Sequence, residues 1–448
     1  MTAAPYVPSA RPATAPATPG DRPYLLRCPV CREGYQDDGL RLDCAAAHRP
    51  GLLSTEYATA FAPGAGTGPF RYGCWLPTAG RPLPEGSGGA TYRAERLGRE
   101  LGLDELWVAF SGHWPERGAT LATGSFKELE AQAVLARLPE RPPVLVVASA
   151  GNTAAAFLRA CSQQRVACVL VVPDTALPAL ATAGERADCV RLVTVAGDYT
   201  DAIELADAIA ARPGHQAEGG TRNVARRDGL GTALLAAAET IGRLPDHYVQ
   251  AVGSGAGAIA AHQAARRLLA AGFPAANGRA GADRGLPRLT LCQNTPFAPM
   301  VRAWQDGLAE PVIGSGPAVR EAIATAHAQE LTTRKPPYAV AGGVREILTE
   351  SGGELLAADN AEAVAAGLLF AEVEGIDIAP AAAVALAGLR KAAAAGRIRP
   401  RETVLLHVTG GGRARHAAGR RPAAPVRPDL RIPAGLSAEA AAYLVTGA

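Results

Sequence analysis

The sequence predicts an α/β protein whose parallel β-sheets are covered by helices on both faces. Two observations support this fold class. Continuous apolar segments rich in Val, Ile and Leu, such as VACVLVVP and TVLLHVTGGG, alternate along the chain with segments whose apolar residues recur at helical spacing. The strand-like segments also lack the alternation of a half-exposed sheet, so both faces of each strand are expected to be buried.

The predicted elements follow one another from about residue 90 to about residue 410. Strands are predicted at ELWVAF, PVLVVASAGN, VACVLVVP, CVRLVTV, HYVQAVGSGAG, RLTLCQ and TVLLHVTGGG. Helices are predicted after Ser125, in TAAAFLRACSQQ, from about Tyr199 and in AIAAHQAARRLLAAG. Most of these strands lead through a short turn into a helix, which is typical of a parallel sheet.

Composition indicates a globular protein of two or three structural units. The chain has 448 residues, of which 48% are hydrophobic and 19% charged, enough for a sizeable core. The net charge is only +3 and the arginines are dispersed among acidic residues, so we expect neither a nucleic-acid nor a membrane partner. No apolar run of signal-peptide or membrane-spanning type is visible, and we therefore expect a cytoplasmic location.

The N-terminal region combines a Pro/Ala-rich tail with a cysteine-containing ribbon. Residues 1–22 have little to bury and are predicted to be disordered, and residues 23–60 are assigned to the ribbon. The ribbon contains a C-x2-C-x12-C-x3-H pattern, formed by Cys28, Cys31, Cys44 and His48. Three thiols and an imidazole can provide four ligands to a structural zinc ion. A metal-free ribbon whose cysteines only pack is the open alternative.

One lysine stands out in a chain that otherwise uses arginine for positive charge. Of 45 basic residues only Lys127, Lys335 and Lys391 are lysines. An arginine stays protonated, whereas a lysine can lose its proton and form an imine. Lys127 follows a Thr-Gly-Ser turn at the start of a predicted helix, and we interpret it as an amine with a chemical role.

Three other turns at strand ends carry small polar residues, and ligands of α/β proteins bind at such ends. The turn SAGNT offers Ser149, Asn152 and Thr153 at a helix start, where backbone N–H groups can bind the carboxylate of a substrate. The turn HVTGGG offers the hydroxyl of Thr409. The turn GSGAG is suited to a phosphate group, and it consists of Gly253, Ser254, Gly255, Ala256 and Gly257.

These turns together favour pyridoxal phosphate over a dinucleotide. A dinucleotide fingerprint usually sits on the first strand, with an acidic residue about 20 positions later, and the segment after GSGAG shows no such strand. Pyridoxal phosphate has an aldehyde for Lys127, a phosphate for the glycine turn and a ring nitrogen for Thr409. Asn152 is then expected at the ring hydroxyl.

The segments TGSFKELEA, SAGNT, GSGAG, EGIDIAPAAAVA and HVTGGG, in this order, resemble fold-type II pyridoxal-phosphate enzymes, which include threonine synthase, cysteine synthase and the tryptophan synthase β-subunit. The resemblance covers roughly residues 24–415. It implies a tryptophan synthase β-like fold of two parallel-sheet domains with the cofactor in the cleft between them. The implied large domain consists of residues 61–127 and 216–420. The small domain consists of residues 128–215, and a C-terminal extension follows at 421–448.

Within this family the chain is most similar to the cysteate synthase group. The segments GSFKELEA and RKPPYAVAGGVREIL support this similarity. In the first segment Glu128 and Leu129 follow the lysine, where threonine synthases more often have an Asp and then a basic residue. The resemblance implies that Lys127 holds the cofactor and removes a Cα proton. The implied reaction is β-replacement on O-phospho-L-serine by sulfite, with Arg345 binding the phosphate or sulfonate. A small amino-acid substrate and a homo-oligomer are also expected.

Three alternatives stay open at this point. The protein can be a threonine synthase acting on O-phospho-L-homoserine, or a β-replacement enzyme of specialised metabolism that uses another nucleophile. It can also be a ligand-binding regulatory protein on an inherited scaffold. Retention of Lys127 in a lysine-poor chain argues against this last alternative.

Overall fold

The computed structural model describes residues 22–78, 85–275, 285–418 and 426–447. The described residues form the strands β1 (Tyr24–Arg27), β2 (Gly34–Tyr35), β3 (Ser54–Tyr57), β4 (Ala90–Arg93), β5 (Glu105–Phe110), β6 (His113–Trp114), β7 (Ala119–Thr120), β8 (Val144–Ala148), β9 (Cys168–Pro173), β10 (Val190–Val195), β11 (His215–Ala217), β12 (His247–Ala251), β13 (Arg288–Asn294), β14 (Glu354–Ala358), β15 (Thr403–Val408) and β16 (Leu430–Ile432). They also form the helices α1 (Glu95–Leu101), α2 (Lys127–Arg137), α3 (Asn152–Gln164), α4 (Tyr199–Ala210), α5 (Val224–Ile241), α6 (Ala256–Ala270), α7 (Pro299–Gln305), α8 (Pro317–Thr325), α9 (Val344–Ser351), α10 (Asn360–Glu374), α11 (Pro380–Ala394), α12 (Arg413–Ala417) and α13 (Ala438–Thr446). The predicted disordered tail lies outside the described residues except for Arg22.

Two sheets form the framework, and both are essentially parallel. The larger sheet has the strand order β14-β13-β12-β15-β5-β4, in which only the edge strand β4 is antiparallel to its neighbour. The smaller sheet has the order β11-β8-β9-β10-β16 and is parallel throughout. The predicted α/β fold class is confirmed. The assignment of domain boundaries around these sheets stays a proposal.

Helices cover both faces of each sheet, which explains the continuous apolar strands. In β15, Leu405 packs in the cluster that contains α5 and α6, whereas Val404 and Leu406 pack in the cluster on the α11 side. In β9, neighbouring residues likewise divide between clusters with α3 and with α4. No helix in the four described ranges is long and apolar enough to cross a lipid bilayer.

The strand orders define where a ligand can bind. In the larger sheet the chain moves from β12 to β13 and β14 on one side, and β15 lies on the other side of β12. In the smaller sheet the chain likewise moves from β8 to β9 and β10 on one side, and β11 lies on the other side of β8. Crevices open at the carboxyl ends of such switch points, because the connections leave in opposite directions. The turns GSGAG, HVTGGG and SAGNT follow β12, β15 and β8, so all three lie at a switch point.

The described part of the C-terminal extension contains a strand and a helix that the sequence did not predict. The strand is β16, which pairs with β10 from Val193↔Leu430 to Val195↔Ile432, and the helix α13 packs against α4. Asp429 accepts a hydrogen bond from Leu192 N at 2.7 Å. A strand of three residues has too few positions to show a periodic pattern, so the sequence did not reveal it.

The predicted N-terminal ribbon is present, and it is a three-stranded antiparallel sheet with the order β2-β1-β3. It is attached to α5, since Thr55 Oγ1 and Tyr57 OH donate to Asp228 Oδ2 at 2.6 and 2.7 Å. It is attached to α2 as well, since Arg137 Nη2 and Nε donate to the two oxygens of Asp37 at 2.7 and 2.9 Å. The ribbon is therefore a fixed part of the molecule.

Candidate active site

The carboxyl ends of both sheets line one cavity of about 850 Å³. Its wall includes the turns that follow β8, β11, β12 and β15, and the start of α2. The structure therefore brings to one cavity Lys127, Ser149, Asn152, Thr153, Gly253, Ser254, Gly255, Ala256, Gly257 and Thr409. Concave sites with a few convergent polar groups are the usual binding sites of small molecules.

Backbone pairing sets Lys127 beside Thr409. Phe126 N donates to Thr409 O at 3.0 Å, and Gly411 N donates to Gly124 O at 3.0 Å. A Cβ atom on Gly410 would lie 2.7 Å from Gly124 O, so glycine is needed for this close approach. The turn before α2 and the turn after β15 thus form one wall of the cavity.

The amine of Lys127 belongs to a buried chain of alternating charges. Lys127 Nζ lies 3.1 Å from Glu130 Oε2, and Glu130 Oε1 lies 2.7 Å from Arg226 Nη1. Arg226 Nε in turn donates to Glu218 Oε1 at 2.9 Å. Burial lowers the pKa of Lys127, although the Glu130 carboxylate opposes this shift. The arrangement favours an amine that can exist without its proton.

The residues of the SAGNT turn make contacts inside the protein. Ser149 Oγ accepts from Gly151 N at 3.1 Å and Ala154 N at 3.0 Å, which fixes the turn into α3. Thr153 Oγ1 donates to Glu130 Oε1 at 2.9 Å. Asn152 Oδ1 accepts from Arg413 Nη2 at 2.5 Å. These side chains hold the helix start in place, and its backbone amides remain the natural binding groups for an anion.

The GSGAG turn fits a phosphate group. Gly255 has a φ of +82° and precedes α6, whose first turn contains no acidic residue. A Cβ atom on Gly257 would lie 2.6 Å from Gln250 Nε2, and one on Gly253 would lie 3.1 Å from Glu330 O. The positive φ of Gly255 and these close approaches favour glycine along this path, which leaves backbone N–H groups at the start of a fifteen-residue helix to bind an anion.

Thr409 directly follows β15, a strand that contacts uncharged polar groups. His407 is buried, and burial lowers its pKa to about 3. Its Nδ1 is 2.7 Å from Tyr248 OH and its Nε2 is 3.0 Å from Ser111 Oγ. Tyr248 OH also donates to Gln250 Oε1 at 2.6 Å. Thr409 therefore brings a neutral hydroxyl to the cavity, from the end of a strand whose buried imidazole is also neutral.

The predicted substrate residue Arg345 is not brought to the site. It is exposed on α9 and is absent from the lining of the cavity. Arg334 and Lys335, from the loop before this helix, line the cavity instead. Arg334 Nη1 lies 3.2 Å from Thr200 Oγ1 and 3.6 Å from Asp198 Oδ2, at the start of α4. The cavity thus contains two cationic side chains from the segment that precedes Arg345 in the chain, while Arg345 itself lies outside the cavity lining.

Sequence reasoning missed the buried ion chain and Arg413. Glu130 follows Lys127 by three positions, so helical spacing alone places both on one face and was a usable signal. Arg226, Glu218 and Arg413 come from distant segments, and no local pattern relates them to the lysine.

The four predicted metal ligands of the ribbon do come together. Their ligand atoms all lie within 4.8 Å of one another. His48 Nε2 is 3.1 Å from Cys44 Sγ and 3.3 Å from Cys28 Sγ, and Cys31 Sγ is 3.6 Å from Cys44 Sγ. These four residues could hold a metal ion.

The fold and the site together define a pyridoxal-phosphate-dependent enzyme of fold type II. The family described as "Pyridoxal-phosphate dependent enzyme" matches residues 87–410. The fold is shared with the solved structure of maize serine racemase, at a TM-score of 0.54 and 13% identity over 72% of this chain and 88% of that chain. It is shared with threonine deaminase isoform 2 from Solanum lycopersicum, at a TM-score of 0.54 and 16% identity over 74% and 88%. Pyridoxal phosphate is the cofactor, and the non-enzymatic alternative is set aside.

Curated relatives narrow this class, and the chain belongs to the cysteate synthase family. It is 48% identical over 422 residues to the cysteate synthase of Methanosphaerula palustris, covering 92% of this chain and 95% of the relative. It is 47% identical over 420 residues to that of Methanoculleus marisnigri, covering 92% and 94%. It is 44% identical over 398 residues to that of Methanospirillum hungatei, covering 88% and 90%.

Proposed function

We propose that the protein converts O-phospho-L-serine and sulfite into L-cysteate and phosphate. The observation that carries this proposal is that two cationic side chains, Arg334 and Lys335, line the same cavity as Lys127. Both the leaving phosphate and the attacking sulfite are anions, and they need positive charge beside the reacting carbon. The names of the curated relatives support cysteate as the product.

The residues of the cavity fit the cofactor group by group. We assign the aldehyde to Lys127, the phosphate to the amides of residues 253–257, the ring nitrogen to Thr409 and the ring hydroxyl to Asn152. When bound, pyridoxal phosphate supplies an electron sink that lets the Cα proton be removed and the β-substituent leave. Arg413 acts through Asn152, since it holds the amide oxygen of that side chain.

Lys127 is the base that takes the Cα proton in this proposal. Its burial favours the neutral amine that a base requires. Glu130, 3.1 Å away, orients Nζ and stabilises the ammonium form after proton uptake. Arg226 Nη1 holds the other oxygen of Glu130 at 2.7 Å, so Glu130 and Arg226 are positioning residues.

Substrate binding divides between two parts of the cavity. The amides at the start of α3 bind the α-carboxylate, and Ser149 shapes that turn through its two accepted hydrogen bonds. The β-phosphate, and then sulfite, bind near Arg334 and Lys335. Replacement exchanges one C–O bond at Cβ for one C–S bond, with phosphate as the leaving group.

A product assay tests this proposal. The purified holoenzyme is supplied with O-phospho-L-serine and sulfite, sulfide or other nucleophiles, and separately with O-phospho-L-homoserine. We expect L-cysteate and phosphate in equal amounts with sulfite. The two substrates differ by one methylene, which is worth only about 1–3 kcal/mol of binding free energy in a pocket. The reaction itself must therefore discriminate further, because O-phospho-L-homoserine needs a second deprotonation, at Cβ, before its phosphate can leave. Threonine formed at a much higher kcat/KM would show that the protein is a threonine synthase.

A further inference from the structure

The N-terminal ribbon forms part of the active-site wall. Besides the residues of the two sheets, the cavity is lined by eight ribbon residues between positions 43 and 52, namely Asp43, Cys44, Ala46, His48, Arg49, Pro50, Gly51 and Leu52. Two of these residues, Cys44 and His48, belong to the cluster of four metal-type ligands. We propose that the cluster binds one zinc ion and that this ion holds residues 43–52 in place as a wall of the substrate cavity.

Three of the ligand separations in the cluster are close to those of tetrahedral zinc, and all the ligand atoms lie within 4.8 Å of one another. Zinc–sulfur bonds of about 2.3 Å and zinc–nitrogen bonds of about 2.0 Å place neighbouring ligand atoms roughly 3.5–3.8 Å apart. The observed separations of 3.1, 3.3 and 3.6 Å are within a few tenths of an ångström of this value. Three thiols with one imidazole are also a donor set that prefers zinc over hard cations such as magnesium or calcium.

Hydrogen bonds around the cluster already orient its ligands. His48 Nδ1 lies 2.7 Å from Arg49 O, which leaves Nε2 directed at the cysteines and selects it as the ligand. Val30 N donates to Cys28 Sγ and Ala46 N donates to Cys44 Sγ, both at 3.4 Å. Amide donors of this kind stabilise thiolates, the form in which cysteine binds a metal.

Side-chain contacts tie the ribbon to the rest of the protein, among them Arg222 Nη1 to Asp43 Oδ2 at 2.6 Å, but no regular backbone structure shapes the wall segment between Asp43 and Gly51. Residues 36–50 contain no helix or strand, and residues 45–47, 49 and 50 are exposed. The ribbon's own apolar cluster is small and includes five buried residues, one of which comes from α5. Small modules of this kind usually need a metal or a disulfide, because their core buries too little surface.

A short path of contacts links the ion to the substrate groups. The carbonyl of Arg49 contacts His48, and the next residues pair with Ala341: Ala341 N donates to Pro50 O at 3.1 Å, and Leu52 N donates to Ala341 O at 2.9 Å. Ala341 ends the loop that carries Arg334 and Lys335 into the cavity. The ion therefore supports the same loop that we assign to phosphate and sulfite.

Loss of the ion is expected to weaken substrate binding and to leave the cofactor in place. The glycine cradle is built by β12 and α6, and the contacts found at Gly253, Gly255 and Gly257 come from outside the ribbon. Displacement of a positioned wall by about 1 Å can cost up to about 100-fold. We expect KM for phosphoserine to rise about 10- to 100-fold, with the visible absorption band of the cofactor unchanged.

Metal analysis and hydrogen exchange on the reduced holoenzyme test the inference. We expect about one zinc per chain, lost in His48→Ala and kept in the matched control Cys189→Ser, whose half-buried thiol lies outside the cluster. Removing zinc from the wild-type protein with a chelator should speed amide exchange in residues 43–52 and 334–341, leave α10 unchanged, and be reversed by added zinc. The chelator arm does not depend on the variant folding.

The outcomes separate this inference from the proposed function, on which it depends only for the phosphoserine probe. Zinc-free wild-type protein with full activity overturns the metal site. Bound zinc whose removal leaves both exchange and KM unchanged overturns the wall. A disulfide between Cys31 and Cys44 in active protein also overturns the metal site. A wild-type protein that does not bind phosphoserine contradicts the proposed function, and the exchange experiment then still decides the role of the ion.

Discussion

Replacement of Glu130 by glutamine is expected to lower the basicity of the Lys127 amine, while the side chain at position 130 keeps its size. Glu130 is fully buried, and its two oxygens lie 3.1 Å from Lys127 Nζ and 2.7 Å from Arg226 Nη1. Two unit charges 3.1 Å apart attract each other by about 5 kcal/mol at an effective dielectric constant of about 20. About a fifth of the Lys127 side chain is exposed, so solvent screens part of this attraction. We therefore expect the substitution to remove roughly half of the attraction, about 2–3 kcal/mol, from the ammonium form.

The direction of the effect on pH dependence follows from this loss. The Lys127 amine in Glu130→Gln is protonated only at lower pH, and catalysis requires the neutral amine. The acid limb of the kcat profile should therefore move to lower pH. A weaker base also takes the proton more slowly, so we expect kcat at the optimum to fall about 10- to 100-fold.

The assay compares pH profiles of kcat for the wild-type protein, Glu130→Gln and a control. Glu372→Gln is a suitable control, because this glutamate is exposed on α10 and outside the cavity. Visible absorption and circular dichroism establish that each variant binds the cofactor and is folded. An acid limb that stays in place or moves to higher pH would refute the coupling between Glu130 and Lys127.

Other residues of the site and of the core give three further predictions. Lys127→Ala should abolish turnover, and borohydride reduction of the wild-type holoenzyme followed by peptide mapping should label Lys127; a label on another lysine contradicts the assignment. Arg334→Ala should raise KM for phosphoserine about 10-fold or more, since a hydrogen bond to a charged group is worth about 1.5–3 kcal/mol. Arg345 is exposed, so Arg345→Ala should leave KM for phosphoserine unchanged. A larger rise in KM for Arg345→Ala than for Arg334→Ala would indicate that Arg345 binds the substrate. Burial lowers the pKa of His407 from 6.5 to about 3, so only the unfolded state binds a proton between these values. Stability should fall below pH 6.5, by about 2 kcal/mol on reaching about pH 5, and His407→Gln should show a shallower pH dependence of urea unfolding; an equal slope contradicts this origin.

The strands, the turns and the special lysine were determined by the sequence itself. A strand buried on both faces must be apolar at nearly every position, so VACVLVVP and TVLLHVTGGG are recognisable without a fold. Lys127 is recognisable because an amine nucleophile cannot be replaced by arginine. The spacing of the cysteines and His48 is equally local, and it allowed the cluster to be predicted before its geometry was known.

Contacts between distant segments were decided only by the tertiary structure. Glu218 and Arg226 are unremarkable charges in the sequence, and they become a buried chain with Glu130 because α2 packs against α5. Arg334 and Arg345 belong to one basic segment, yet the loop directs the first into the cavity and α9 exposes the second. The same holds for the ribbon as a wall of the cavity. Periodicity reports the environment of one element, whereas a site depends on which distant elements face it, and that is settled only when the chain packs.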